Sequence, residues 1–272
     1  MKRLAGRTAV VTGAGSGIGR ATSLLLAERG CAVAVVDINE TGANETADEV
    51  RRRGQRASVH VADTRDAMRI GELPGEVESE HGACHILINN AGVTSAGAFE
   101  DETLEDLNWI MDINVWGVVH GCRAFLPLLR QAEEAHIVNL SSMVGLLGLG
   151  HNVSYSLTKG AVRSFTEALR SELITTNIGV TAVFPGAIRT NITNTARGTE
   201  SAKLATMGKS RFAPLVMRPP SAAASKIVKA IEHDRARTVV GPDARFVDLM
   251  CRVMPGRSGL IGRVTTRASG KA

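Results

Sequence analysis

The sequence predicts an α/β fold, a single domain built on a doubly wound parallel sheet of about seven strands with helices on both faces. Short runs rich in β-branched residues alternate with longer helical patterns along the chain. The short runs are apolar throughout, as strands are when both faces of their sheet are covered. Helices between such strands form right-handed crossovers, so we expect a parallel sheet with a ligand crevice outside the carboxyl ends of its strands.

The predicted strands are residues 8–11, 31–37, 57–62, 84–89, 136–140, 180–184 and 238–241. The segments between them are predicted to be helical, the first ending near Gly30 and the second near Gly54. Residues 191–217 break this rhythm because they are polar and weakly periodic. Irregular chain of that length inside a compact domain is often a functional lid. Residues 1–272 are therefore predicted to form a single domain in which 191–217 are a substrate lid.

The composition fits a soluble globular protein and argues against several classes of function. The chain has 272 residues, of which 44% are hydrophobic and 22% charged, and these proportions are ordinary. The net charge is +5, but the positive residues are dispersed and form no aromatic-interleaved stripe of the kind that binds nucleic acid. No run of about 18 apolar residues could span a bilayer, and we expect no secretory leader.

The four cysteines indicate a reducing compartment, so the protein is predicted to be cytoplasmic. They lie far apart in the sequence and form no CxxC pair, and three of them lie in apolar runs, as buried free thiols do. We predict no metal site. The four are Cys31, Cys84, Cys122 and Cys251.

A glycine-rich turn, TGAGSGIG, begins at Thr12 directly after the first predicted strand and opens a helix. Glycine lets the backbone turn sharply and approach a pyrophosphate, whose charge then meets the helix N-terminus. The spacing is TGxxxGxG, because Ile18 stands where a GxGxxG turn would have its last glycine. The residues predicted to bind the cofactor here are Gly13, Ser16, Gly17, Ile18 and Gly19.

Asp37 ends the second predicted strand, and Ile38 follows it. A carboxylate at that position accepts hydrogen bonds from the adenosine ribose and repels a 2′-phosphate. Position 14 carries no basic residue that would favour the phosphate. NAD is therefore predicted in preference to NADP. The alternative role for Asp37 is a cap of the following helix.

Tyr155 and Lys159 are four residues apart and so lie on one helical face. A free tyrosine has a pKa of about 10, which is too high for efficient proton exchange at neutral pH, and a neighbouring ammonium is expected to lower that pKa. Ser142 follows the fifth predicted strand, where the crevice should be. Its hydroxyl could hold a substrate oxygen as charge develops on it. Ser141 is the rival residue, but we expect it to end the strand.

Taken together, these motifs resemble the short-chain dehydrogenase/reductase family, in the family's order and over roughly residues 5–190. The resemblance also rests on the sequence NNAG at 89–92, on Asn114 and on Pro185-Gly186. It implies a Rossmann fold with a seven-stranded sheet, a homodimer or homotetramer formed through helix packing, and oxidation or reduction of a hydroxyl or carbonyl carbon.

The resemblance also implies roles for individual residues. Asp63 would contact adenine, with Thr64 beside it. Asn114 would hold a water that links Lys159 to solvent, and Lys159 would also bond the nicotinamide ribose. The adenosine side and the central strand would be flanked by Asn90, Ala91 and Gly92. The residues that would seat the nicotinamide carboxamide are Pro185, Gly186, Ile188 and Thr190. The predicted catalytic residues are Asn114, Ser142, Tyr155 and Lys159.

The predicted function is an NAD-dependent oxidoreductase that transfers a hydride between nicotinamide and an alcohol or ketone. Residues 143–150 are apolar and uncharged, which favours a lipophilic or neutral substrate. One alternative is an NADPH-dependent ketone or 3-ketoacyl reductase. An alternative of another class is a non-catalytic dinucleotide-sensing protein, although Tyr155 and Lys159 are both intact. A sugar-nucleotide epimerase would carry a glycine motif that resembles GxxGxxG, which this sequence does not match. An enoyl reductase would resemble the family with Tyr and Lys seven residues apart, whereas here they are four apart.

Residues 242–272 form a basic C-terminal extension whose first part carries an apolar stripe at helical spacing. We expect this stripe to pack over the substrate pocket or a partner subunit. Peripheral contact with anionic lipid is the less favoured alternative, because the stripe is short and Pro255 soon interrupts it. The residues of the stripe are Phe246, Leu249, Met250 and Val253.

Three further residues invite a functional interpretation but are predicted to be structural or simply exposed. Trp109 and Trp116 are seven apart, so both should face one side of a helix in the core or at a subunit interface. His151 lies four residues before Tyr155, where it could touch substrate, but a loop histidine is more often just exposed.

Overall fold

The structure, a computed structural model, describes residues 1–202, 206 and 217–254. Its centre is a seven-stranded parallel sheet with the order β3-β2-β1-β4-β5-β6-β7. The order reverses direction between β1 and β4, and in such sheets the crevice at the carboxyl ends lies at this point. The strands are β1 Thr8–Thr12, β2 Ala32–Asp37, β3 Ala57–Val61, β4 Ile86–Asn89, β5 Ala135–Leu140, β6 Ile178–Pro185 and β7 Arg237–Val240.

Helices cover both faces of the sheet, which completes the predicted doubly wound arrangement. Helices α1, α2 and α7 lie on one face, and α3, α5 and α6 on the other. The described α-helices are α1 Gly17–Glu28, α2 Glu40–Arg52, α3 Ala67–His81, α4 Leu104–Met111, α5 Gly117–Gln131, α6 Val153–Glu172, α7 Pro220–Glu232 and α8 Pro242–Val253.

The core is aliphatic and divides into two layers, one on each side of the sheet. Every residue of β1 and β5 is buried, because these strands lie inside the sheet and are covered on both faces. The sequence predicts these strands from continuous apolar runs, and such runs arise because both faces of each strand are buried. Each apolar side chain removed from water contributes roughly 1.5–3 kcal/mol to the stability of the fold.

The C-terminal stripe forms the predicted helix, α8, but its side chains do not cover the pocket. Phe246, Leu249 and Val253 are 60%, 60% and 69% exposed, respectively. The later part of the extension, 255–272, lies outside the described residues, as do 203–205 and 207–216 of the predicted lid. Among the helices that the structure describes, none has the length and apolar character needed to cross a bilayer.

The two tryptophans do not share an environment, contrary to the prediction. Trp116 is 50% exposed and stacks on His120, with 6.3 Å between the ring centroids. Trp109 is partly buried and lines the crevice. The residues differ because α4 gives way to a π-helical turn, Asp112–Trp116, which shifts the helical register between them.

Candidate active site

A crevice of about 620 Å³ opens at the carboxyl ends of the strands. Nearly all of the residues predicted from the sequence line it, and only Gly19 and Asn114 among them do not. The predicted residues that line it are Gly13, Ser16, Gly17, Ile18, Asp37, Ile38, Asp63, Thr64, Asn90, Ala91, Gly92, Ser142, Tyr155, Lys159, Pro185, Gly186, Ile188 and Thr190.

The glycine turn forms the floor of the crevice between β1 and α1. Gly13 and Gly17 have φ angles of +63° and +53°, a region that side chains other than glycine rarely adopt. A Cβ atom on Gly13 would lie 2.8 Å from the Cα atom of Ala91. Ser16 caps α1 without a side-chain hydrogen bond to its first turn, and Ser16, Gly17 and Ile18 line the crevice at this helix N-terminus. This cradle suits a pyrophosphate.

Gly19 lies behind the turn and not in the crevice. It is buried, and a Cβ atom there would collide with the carbonyl oxygen of Gly13 and with the Asn90 side chain. Asn90 in turn donates from Nδ2 to the carbonyl oxygens of Thr12 and Gly13, at 2.9 and 3.1 Å. Gly19 therefore allows close packing of α1 against the turn, and the prediction that it lines the pyrophosphate stays a prediction.

Asp37 lies at the end of β2 and faces the crevice. Its two carboxylate oxygens accept hydrogen bonds from the backbone N–H groups of Gly15 and Asn39, at 2.7 and 2.9 Å. These bonds fix the carboxylate beside the glycine turn. Arg20, the basic residue of α1, directs its Nη2 to the Gly15 carbonyl oxygen and to Glu45, at 2.6 and 2.7 Å.

Arg65 was not singled out from the sequence, although it lines the crevice beside Asp63. Its Nε and Nη2 both donate to Oδ2 of Asp63, at 2.8 and 2.6 Å. Desolvation raises the pKa of Asp63, but the Arg65 interaction outweighs it and holds that pKa below its usual value. In the sequence, the signal for this pair is an arginine two residues after the aspartate that follows β3. The pair lies in the crevice just after the end of β3.

The catalytic candidates Ser142, Tyr155 and Lys159 are brought together by β5 and α6. Ser142 follows β5 and caps a short 3₁₀ turn, accepting a hydrogen bond from Val144 N–H at 3.4 Å. Lys159 Nζ lies 5.8 Å from the centroid of the Tyr155 ring and donates to the Leu140 carbonyl oxygen at 3.0 Å. Ser141, as expected, is occupied elsewhere, because its hydroxyl donates to the Lys159 carbonyl oxygen at 2.7 Å.

The pKa of Tyr155 differs from the expectation. Burial raises this pKa above its ordinary value of 10.0, and the hydrogen bond with Ser142 only opposes the rise. Burial also lowers the pKa of Lys159 to about 8, because the ammonium loses water. Desolvation therefore outweighs the lowering that the sequence predicted from the Lys159 charge.

Asn114 lies within the π-helical turn that connects α4 and α5, fully buried next to the crevice. Its side chain exchanges two hydrogen bonds with the backbone of Val93, at 2.8 and 2.9 Å, and donates to Thr158 Oγ1 at 3.0 Å. Asn114 Oδ1 and Lys159 Nζ both approach Gly92. Asn114 thus joins α6 to the loop after β4. The predicted water link to Lys159 stays a prediction.

The residues after β6 run across the top of the crevice as a strap, defined here as residues 188–197. One end forms a β-bridge between Ile188 and Arg218, and the other a β-bridge between Ser95 and Arg197. Between these anchors Thr190, Ile192 and Thr195 line the crevice. The first part of the predicted lid is therefore fixed at both sides of the crevice.

The loops next to the strap are joined by hydrogen bonds from backbone and side-chain groups. Gly97 N–H donates to the His151 carbonyl oxygen at 3.0 Å, and Asn152 Nδ2 donates to the Ser95 carbonyl oxygen at 2.5 Å. His151 has a φ angle of +60°, and its Nδ1 lies 3.5 Å from Glu200. His151 is only partly exposed, so the expectation of a simply exposed histidine is incomplete.

Comparison with known proteins gives three kinds of match. The family model of short chain dehydrogenases matches residues 7–201. SadH of Mycobacterium tuberculosis, which carries an oxidoreductase name, is 34% identical over 256 residues, or 93% of each chain. The 2,5-dichloro-2,5-cyclohexadiene-1,4-diol dehydrogenase LinX of Sphingobium indicum is 33% identical over 191 residues, covering 70% of this chain and 76% of LinX.

The fold also matches solved structures. A short chain dehydrogenase/reductase from Burkholderia phymatum, crystallised in complex with NAD, superposes with a TM-score of 0.86 at 28% identity. The match covers 93% of this chain and 95% of that one.

Proposed function

The chain belongs to the short-chain dehydrogenase/reductase family and is an oxidoreductase, and on that premise we propose that it interconverts an alcohol and a ketone with NAD. One observation carries the proposal. The crevice that contains the glycine turn and Asp37 also contains Ser142, Tyr155 and Lys159. A binding protein without catalysis has no need of a buried lysine beside a tyrosine, because burying the ammonium group of Lys159 costs free energy.

NAD is the proposed cofactor, and the residues present fit it. The glycine turn would hold the pyrophosphate and Asp37 the adenosine ribose, while Asp63, Thr64 and Arg65 would surround the adenine. When bound, NAD supplies the hydride acceptor for alcohol oxidation, and its reduced form supplies the hydride donor for ketone reduction. The NAD held by the Burkholderia phymatum relative supports this choice.

Tyr155 is the proposed proton-transfer group. Its Oη would donate a proton to the ketone oxygen in reduction and accept the alcohol proton in oxidation, while the Ser142 hydroxyl holds the same substrate oxygen. Because burial raises the pKa of Tyr155, the phenol is protonated at neutral pH. Ketone reduction should therefore proceed at neutral pH, and alcohol oxidation should accelerate as the pH rises.

The proposed substrate is neutral and lipophilic. The charged side chains that line the crevice are Asp37, Asp63, Arg65 and Lys159, and all four are assigned above to the cofactor or to catalysis. No further charged group lines the crevice within the part of the chain that the structure describes, so an anionic substrate would lack a partner. The cyclohexadiene-diol named for LinX fits a neutral substrate.

A panel of secondary alcohols and ketones, assayed with NAD(H) by nicotinamide absorbance, tests the proposal. We expect turnover that falls by roughly 10²-fold or more in Ser142→Ala, by analogy with a lost oxyanion donor. Ser171→Ala, on the exposed side of α6, is the matched control. Tight NAD binding without turnover of any alcohol or ketone would favour the dinucleotide-sensing alternative. Faster turnover with NADP(H) would favour the NADPH-dependent reductase.

We also propose a cytoplasmic homodimer or homotetramer. All four cysteines are free and three of them are buried, which suits a reducing compartment. The exposed stripe on α8 offers apolar area of the kind that subunit interfaces cover. We favour a partner subunit over lipid as its cover. Light scattering should give a mass above that of one chain, and Phe246→Glu should lower it if α8 lies at the interface.

A further inference from the structure

Trp109 lies in the same crevice as Ser142 and Tyr155. Apart from Tyr155, it is the one aromatic side chain among the described residues that line the crevice. It projects from α4, which packs against α6. Ser154, the neighbour of Tyr155 on α6, donates a hydrogen bond to Glu102 just before α4, so the wall that carries the indole is joined to the part of α6 that carries Tyr155.

Arg197 holds the indole in place. Its guanidinium carbon lies 4.3 Å from the centroid of the Trp109 ring, within the range of a cation–π contact. The same guanidinium donates to Asp106 at 3.1 Å. Asp106 lies on α4, one turn before Trp109, so the arginine covers the ring while bonded to the helix that carries it. A rotamer-restricted aromatic ring contributes contact area to binding at low entropic cost.

The charge of Arg197 is compensated, which limits the ligands that the wall can attract. Besides Asp106, Glu105 lies 4.0 Å from the guanidinium. The crevice also contains the aliphatic side chains of Ile113, four residues after Trp109, and of Ile192 on the strap. An indole among aliphatic side chains favours a flat or cyclic apolar group, which can pack against the ring face or edge.

We propose that Trp109 determines specificity for ring-containing ketones and alcohols by forming the wall against which the substrate ring packs. This inference rests on the proposed function, since it concerns the substrate of the same site. An open-chain ketone of equal carbon number makes less contact with a flat wall and loses more rotational freedom on binding. The discrimination between ring and chain is thus assigned to one residue.

Turnover of cyclohexanone and 2-hexanone with NADH tests the proposal. In Trp109→Ala, kcat/KM for cyclohexanone should fall by about 4-fold or more, the equivalent of one CH₂ group of the substrate ring left exposed to water, while that for 2-hexanone changes by less than about twofold. Trp109→Phe should retain most of the preference, and Trp116→Ala, outside the crevice, should retain all of it. An equal loss for both ketones, or weaker NADH binding with no change in preference, overturns the proposal.

A binding measurement separates this inference from the proposed function. The chain has two tryptophans, so Trp116→Phe leaves Trp109 as the sole indole. With NAD bound, cyclohexanone should change the Trp109 emission saturably, and 2-hexanone should need a higher concentration. If neither ketone is turned over but cyclohexanone alone shifts the emission, the role of Trp109 in ring binding is supported and the proposed reaction is wrong. If cyclohexanone is turned over without affecting the emission, the role of Trp109 in ring binding is contradicted.

Discussion

The hydroxyl group of Tyr155 faces the crevice between Ser142 and Lys159, and its removal isolates the proton-transfer step. In Tyr155→Phe, kcat should fall by about 10²–10⁴-fold, the usual contribution of general acid–base catalysis. NADH binding and the melting temperature should stay close to those of the wild type, because the ring remains. Since Tyr155 is the only tyrosine, ultraviolet difference absorbance of the parent protein reports its ionisation alone. Unchanged turnover with chemistry rate-limiting would contradict the assignment.

Asp37 should set the choice between the two nicotinamide cofactors. The wild type should have a higher kcat/KM with NAD than with NADP, because the carboxylate would face the 2′-phosphate. Asp37→Ala should narrow that gap by weakening NAD and relieving the repulsion of NADP. Steady-state kinetics with both cofactors measure the gap, and Asp48→Ala, on the exposed side of α2, is the control. A wild-type preference for NADP would mean that a basic group overrides Asp37.

For single residues, the sequence predicts the position of a residue that belongs to a motif. It does not predict a role that depends on a tertiary contact. Asp37 and Tyr155 follow strand ends or helical spacing, so their place in the crevice could be predicted. Trp109 could not, because its role depends on Arg197, 88 positions further along the chain. The pKa of Tyr155 was mispredicted for a similar reason, since desolvation depends on surroundings that spacing does not describe.

Among the structural elements, the strap can be tested through the residues that hold its two ends. Arg197→Ala removes the contacts with Trp109 and Asp106 at one end. Partly exposed cation–π contacts contribute roughly 0.5–1 kcal/mol, so NADH dissociation should speed up by about 2- to 5-fold. Stopped-flow displacement of NADH measures the rate. As a control, Arg163→Ala breaks an exposed pair with Glu167 on α6 and should leave the NADH dissociation rate unchanged. An unchanged rate in Arg197→Ala would mean that this anchor does not limit NADH release.

The strands were predictable because double burial leaves continuous apolar runs, and all seven were placed within two residues of their observed ends. The sequence predicts a substrate lid at 191–217 from its irregular pattern, but it does not predict the strap. Its anchors are β-bridges of one residue each, such as the one between Ser95 and Arg197, and isolated pairings leave no periodicity in a sequence. The π-helical turn at Asp112–Trp116 was missed for the same reason, because it resembles continuous helix.

For the molecule as a whole, His136 should make stability depend on pH. It is 1% exposed, and burial lowers its pKa to about 3. Below pH 6.5 the unfolded chain binds a proton that the folded state does not accept until about pH 3. The free energy of unfolding should therefore fall by up to about 1.4 kcal/mol per pH unit between these values because of this group.

Denaturant titrations between pH 4 and pH 7 measure the effect. His136→Gln should flatten the dependence by up to one proton, while His233→Gln, at an exposed position, should not. A slope that is the same in wild type and His136→Gln would assign the acid sensitivity to other groups.

The two anchors of the strap also impose an order of events on the reaction. Thr190 of the strap comes within 3.3 Å of a Cβ atom placed on Gly17, so a cofactor bound on the glycine turn would lie against the strap, and a substrate at the Ser142 and Tyr155 hydroxyls would follow it. The nucleotide should therefore associate first and leave last, so that turnover follows a compulsory sequence. Product inhibition makes this visible. NADH should compete with NAD at every alcohol concentration, whereas the ketone product should be noncompetitive towards NAD.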